Sequence, residues 1–400
     1  MSEASAKALQ PTGRSLAAKL RYGVRILPGL IRQELSRSRI KGRVHLIITV
    51  ADHFEPAIVP GDGRKRAPAD VQEQRLERWC REYPGLAGAW RDSDGYPLQH
   101  TYFYPAEQFE AGLIDRLAGH CHDGWGELEV HLHHGVDSPD TPENTLRTLT
   151  SFRNELERRA CVSYFDGTGP ARYAFVHGNF ALANSGGGRM CGVDSEIQIL
   201  ADTGCYADLT LPSASFDPAQ IAKINSLYEC GLPLGRRAAH STGSDLEVGR
   251  GPRVFPIMVQ GPLSLTFNNG RPRIENAAVV GTNPASLRRL QLWKQAAICV
   301  KGRPDWLFIK LHCHSMDPAH ESAVLGNGMR SYLQELVTGA TDRKEVLHFC
   351  SAREMVNIAL AACDGREGNP GDFRDYRLKR SRDREANQTP INSSEVIAKV

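Results

Sequence analysis

From Arg43 onward, strand-length apolar runs alternate with helix-length amphipathic segments, and this alternation restricts what the chain can fold into more than any other feature. Val44–Val50 (VHLIITV) is an apolar, β-branched run of the kind buried on both faces of a sheet. A helix is predicted over Ala69–Tyr83, a strand at His100–Tyr104, a helix over Phe109–His120 and a strand at Glu127–His133. Thr141-Pro142-Glu143 reads as a helix start, with a capping residue, a proline in the first turn and an early acid. Further strands are expected at Tyr173–His177, Tyr206–Leu211, Trp306–His314 and Val346–Phe349, with helices over Asp194–Thr203 and Ala352–Ala362. Repeated strand–helix units give a parallel sheet covered by helices, either open or closed into a barrel.

Three stretches depart from this rhythm. Residues 14–43 carry nine Lys or Arg against Glu34. There Leu16, Leu20, Val24, Leu27, Leu30, Ile31 and Leu35 recur at near-helical spacing, with Pro28 interrupting. Residues 1–42 are thus a basic amphipathic segment, suited either to an anionic membrane surface or to packing on the outside of the domain. Residues 232–282 are rich in Gly and Pro and read as an insertion. Within it, Val254–Val259 and Leu263–Phe267 are expected to form a hairpin near a site mouth. Residues 365–400 are polar and charged and read as a disordered tail, which leaves 43–364 as the main domain.

Composition narrows the function classes. With 41% hydrophobic and 24% charged residues, the chain has the make-up of a globular enzyme. A net charge of +3 gives no reason to expect nucleic acid as a partner. No run approaches the roughly 18 apolar residues of a membrane span, and the N-terminus lacks the apolar core of a secretory signal. A cytoplasmic protein is expected, peripheral to the inner face of the membrane only on the reading that places the basic segment on a membrane surface. The ten cysteines contain no Cys-x-x-Cys pair, which argues against a disulfide framework.

The histidines carry the chemistry. Five of the fourteen fall at His120, His122, His131, His133 and His134. Along Glu127–His133, Glu127, Glu129, His131 and His133 occupy one face and Leu128, Val130 and Leu132 the other, because side chains alternate across a strand. Two imidazoles on one strand face lie about 7 Å apart at their Cα atoms, a spacing that can chelate one divalent ion. Trp306, Phe308, Lys310, His312 and His314 share a face in the same way. The first strand ends in Asp52-His53-Phe54-Glu55, and the fourth in His177-Gly178-Asn179. Ionisable groups at the carboxyl ends of parallel strands are well placed to act together.

In this order the motifs resemble the polysaccharide-deacetylase superfamily. Thr49-Val50-Ala51-Asp52-His53 is similar to its Thr-Phe-Asp-Asp-Gly motif, and Thr101-Tyr102-Phe103 to its second-strand element. Glu127-Leu128-Glu129-Val130-His131 is similar to its metal motif, His177-Gly178-Asn179-Phe180 falls near its Arg-x-Pro-Tyr element, and Lys310-Leu311-His312 is similar to its Leu-x-His motif. The resemblance spans residues 43–363. It implies a (β/α) barrel of about seven strands, of the glycoside hydrolase/deacetylase type. It also implies a divalent metal, Zn²⁺, held by Asp52, His131 and His133. By this correspondence the family's base falls on Ala51 and its second metal histidine on Gly135, so His133 or His134 must substitute.

The resulting expectation is a metal-dependent hydrolase that removes an N- or O-acyl group from a modified carbohydrate. His312 is its acid, Glu55 or His53 its base, and His177, Asn179, Lys310 and His314 contact the substrate. The alternatives are a glycoside-cleaving enzyme on the same barrel, with two carboxylates about 5–10 Å apart, and a non-catalytic carbohydrate-binding protein.

Overall fold

The computed structural model describes residues 24, 26–31, 42–62, 65–212, 222–268 and 271–381, so the basic N-terminal segment and the last nineteen positions fall largely outside it. In chain order, β1 (Val44–His53), α1 (Ala69–Ala87), β2 (His100–Pro105), α2 (Ala111–His122), β3 (Glu127–Leu132) and α3 (Pro142–Arg158) come first. The hairpin of β4 (Ser163–Phe165) and β5 (Thr168–His177), α4 (Glu196–Thr203) and β6 (Cys205–Asp208) follow, then β7 (Leu227–Cys230), β8 (Gly243–Asp245) and β9 (Ile257–Val259). The β10 (Ser264–Asn268) and β11 (Arg271–Glu275) hairpin leads to α5 (Leu287–Gln295), β12 (Trp306–Cys313), α6 (Glu321–Leu325), α7 (Asn327–Thr338), β13 (Glu345–Phe349), α8 (Ala352–Cys363) and β14 (Leu378–Arg380). Local chemistry fixes the helix starts. The Thr141 hydroxyl accepts from the Asn144 N–H at the head of α3, and Ser351 and Glu354 form a reciprocal capping box on α8.

The expected seven-stranded (β/α) barrel does not form. The strands instead make one twelve-stranded mixed sheet, curled into a half-barrel, whose main path runs β12-β1-β2-β3-β5-β6-β9-β7-β8. Two features keep it from closing as a barrel. The last parallel strand, β13, pairs with Val44–Ile48 of β1, on the edge whose other half, Val50–His53, pairs with β2. At the far end β7 runs antiparallel to both β8 and β9. Meanwhile α8, buried at every position, packs with Ile47, Trp306, Phe308 and Ile257 on the inner face. Its apolar positions are in the core, and its buried Arg353 is answered by Glu127 and Asp375. Here the helix occupies space that the interior side chains of a closed barrel would fill.

Two apolar layers result. The outer one joins Leu46, Ile48, Val50, Leu128, Val130 and Leu132 to Leu76, Trp79, Leu117 and Phe152 of the covering helices. The inner one carries Ile47, Ala51, Phe103, Ala174 and Val176. The strand alternation seen in the sequence is the boundary between these layers.

Two boundaries differ from expectation. Ile257–Val259 is a strand of the main sheet, paired with β6 and β7, and the separate hairpin is β10–β11. Residues 366–381 belong to the folded domain. Arg374 is buried, with Nη2 2.7 Å from Asp92 and 3.0 Å from Asp94, and β14 pairs with β4. The guanidinium holds this segment because it answers Asp92, which would otherwise be buried without a countercharge. Among the described residues, no helix is long and apolar enough to cross a membrane.

Candidate metal centre

Three parallel strands deliver histidines to one end of the inner face. His53 ends β1, His131 and His133 end β3, and His312 and His314 end β12, while Glu55 follows β1 by two residues. Glu55 Oε1 lies 3.1 Å from His131 Nε2 and 3.5 Å from His133 Nε2. His53 stacks obliquely on His314 with ring centroids 4.5 Å apart, and meets His131 edge-on at 4.8 Å. Two sets of donor atoms, each drawn within 4.8 Å, therefore share one carboxylate: Glu55 with His131 and His133, and Glu55 with His53 and His314.

The other nitrogen of each β3 imidazole is already committed. His131 Nδ1 donates to the Val176 carbonyl at 2.8 Å, and His133 Nδ1 lies 2.9 Å from Glu107 Oε1. A hydrogen bond at Nδ1 orients each ring so that Nε2 points at Glu55, the orientation that metal-ligating histidines require, and an ion there would take the place of the proton on the His133 Nε2. Gly178 lets β5 come this close, since a side chain there would collide with the His133 ring. His53 and His312 are buried, and the Nδ1 atom of each has no hydrogen-bond partner. Buried nitrogens left unpaired are costly, so their presence at one spot calls for a ligand.

The electrostatics favour a cation. Burial would push the Glu55 carboxyl up, but His133, His131 and His314 outweigh it and hold the group at about 2. Burial acts to lower His133, yet Glu55 and Glu107 raise it to about 9. Burial, with neighbouring histidines, drives His53 well below its ordinary value, and burial, with Lys310 and His314, does the same to His312; both are therefore neutral imidazoles. Beneath His312 on the same face, Lys310 donates to the Leu209 carbonyl at 2.7 Å, and burial lowers it to about 7 against the pull of Asp208. Deeper still, Glu129 accepts from Tyr206 and from the Ala174 N–H, and burial raises it to about 8.

Not every residue singled out from sequence joins this group. His53, Glu55, His131, His133, His312, His314 and Lys310 do lie on the inner face. Asp52 does not. It follows Leu46, Ile48 and Val50 onto the outer face, where Oδ1 accepts from the Ser315 N–H at 3.0 Å and Oδ2 lies 3.3 Å from His100 Nε2. Its donor group is Asp52, His100 and Cys313, so the expected convergence of Asp52 with His131 and His133 is absent. His177 likewise follows Tyr173 and Phe175 outward, to a buried set with His134, Cys191 and Glu196, and the Asn179 N–H donates to its Nδ1. Glu107 is the residue that sequence reasoning missed. It lies in a short 3-10 turn, Ala106–Gln108, that follows β2 beyond Pro105, where strand alternation no longer says which way a side chain points.

In all, four groups of His, Cys, Asp or Glu among the described residues could hold a metal ion. In comparisons with known protein families and with curated proteins, the chain matches none.

Proposed function

We propose that this protein is a metal-dependent hydrolase, acting on an acyl group of a modified carbohydrate. The observation that carries the metal-dependent reading is the convergence of two Nε2 atoms on one buried carboxylate, each imidazole held from behind by an acceptor, at the carboxyl ends of parallel strands. The carbohydrate part rests on the order of the motifs along the chain.

Glu55, His131 and His133 would hold the ion, a divalent cation such as Zn²⁺, with His53 and His314 completing its surroundings. When bound, such an ion lowers the pKa of water toward neutrality and polarises a carbonyl oxygen. The side chains supply the rest. Glu107 keeps the His133 ring in place, and the Val176 carbonyl does the same for His131. His312, neutral and unpaired at Nδ1, is placed to carry a proton between water and the leaving group. His133 and Glu107, each about a quarter exposed, form the edge open to solvent. The glycoside-cleaving alternative is weaker, because Glu55 and Glu107 are both engaged with imidazoles rather than facing each other across an open cleft.

The test is turnover of acetylated sugar oligomers and simple acetyl esters by the full chain, before and after chelation. Activity should vanish with the metal, return on adding Zn²⁺ or Mn²⁺, and be absent in His131→Ala. Turnover that survives complete metal removal would end this reading.

A further inference from the structure

On the outer face, directly behind the candidate centre, four donor side chains converge in a fully buried space. His134 follows β3, His177 ends β5, Cys191 lies in the loop between β5 and α4, and Glu196 opens α4. His134 Nε2 is 3.2 Å from His177 Nε2 and 2.9 Å from Glu196 Oε1, and His177 Nε2 is 3.8 Å from the same oxygen. Cys191 Sγ lies within 4.8 Å of all three donors. A tetrahedral ion bound at about 2.0–2.3 Å needs donor atoms about 3.3–3.7 Å apart, and the measured separations bracket that range.

The atoms around this set are arranged as ligands need. His134 Nδ1 is 2.8 Å from Asp140 Oδ2, which also accepts from Thr145, leaving Nε2 as the inward donor. Glu196 Oε2 takes the Ala183 N–H at 2.6 Å, which leaves Oε1 for the cluster. Cys191 Sγ donates to Glu196 Oε2 at 3.5 Å and lies 3.5 Å from the Val193 N–H, so an ion entering here would displace the thiol proton, and that N–H would remain to face the sulfur. His177 fits least well, because its Nδ1 faces the Asn179 N–H at 3.1 Å and so leaves the proton on Nε2. Gly135, with φ at +63°, allows the Cys191 backbone to come against the strand end, where a side chain would collide with its carbonyl.

We infer that His134, Cys191 and Glu196, with His177 at the fourth position, form a structural zinc site separate from the candidate catalytic centre. A sealed position with a sulfur ligand suits an ion that shapes the fold, whereas chemistry requires an open coordination position. Since His133 and His134 are consecutive, an ion here pins the strand end that presents His131 and His133 on the opposite face. The site does not depend on the hydrolase reading.

The full chain, stripped of metal and reloaded with Co²⁺, should show a near-ultraviolet thiolate-to-cobalt charge-transfer band, which the candidate catalytic centre, built of histidine and glutamate alone, cannot give. The band should persist in Cys313→Ser and in His131→Ala, vanish in Cys191→Ser and weaken in His177→Ala. X-ray absorption of the zinc-loaded wild type should show zinc–sulfur scattering at about 2.3 Å, amounting to one sulfur per chain and so about half a sulfur per zinc when both centres are filled, a measurement that holds even if Cys191→Ser does not fold. No sulfur at the zinc, or a band that disappears with Cys313 instead, would overturn the inference.

Discussion

Asp52 and His53 are consecutive residues whose side chains leave β1 on opposite faces of the sheet, and only the second lies beside Glu55, His131 and His314. Asp52 is fully buried beside His100 and the Ser315 N–H, where it organises the junction between β1, β2 and β12.

Asp52→Asn should therefore retain the inner-face ion, whereas His131→Ala should lose it. The cost of the Asp52 change should be structural, roughly 1–3 kcal/mol, because the Ser315 N–H and His100 lose a charged acceptor. Metal analysis together with urea denaturation separates the two effects. Metal loss in Asp52→Asn equal to that in His131→Ala would return Asp52 to the ligand set.

Glu107→Gln should weaken metal binding by roughly 10–100-fold while leaving the fold unchanged, since its carboxylate orients His133 rather than supporting the core. Calorimetric titration with Zn²⁺ reads this directly. Unchanged affinity would mean that the His133 ring is held by other contacts.

The sequence made half of this site visible. Period-two alternation on β3 and β12 placed His131, His133, Lys310, His312 and His314 correctly, because a fully buried strand has no freedom to shift its faces. The same rule applied to β1 would have grouped Ala51 with His53 and sent Asp52 outward. Motif similarity pointed the other way, and the geometry follows the alternation. Glu107 lay beyond a proline, and the His134–Glu196 cluster draws on four separated segments, so neither carried a local pattern. Repeated strand–helix units foretold a largely parallel sheet. They could not foretell the half-barrel, which depends on α8 packing inward and on β13 sharing an edge of β1 with β2.

Glu129 should make stability fall as pH rises. Its folded value of about 8 exceeds the ordinary 4.5, so the folded state holds a proton that the unfolded chain has released. The penalty is absent below about 4.5, grows through the interval and levels off above about 8. Glu129→Gln should remove this slope and raise the melting temperature at pH 8 more than at pH 5. An identical pH profile in both proteins would contradict the assignment.

Arg374→Ala should cost roughly 3–5 kcal/mol, because it leaves the buried Asp92 without its countercharge, while Asp94 keeps His348 and Asn369. Denaturant unfolding would measure it. A cost below about 1 kcal/mol, the usual worth of an exposed ion pair, would show that this segment is dispensable to the domain.

The central claim is that His131 and His133 hold a metal ion on the inner face. Its most direct test is metal content by mass spectrometry, comparing the full chain with His131→Ala/His133→Ala after loading with Zn²⁺ and removal of free ion. The double variant should contain at least one ion per chain fewer than the wild type, while still giving the cooperative unfolding of a folded domain. Equal metal content in the two proteins would contradict the account.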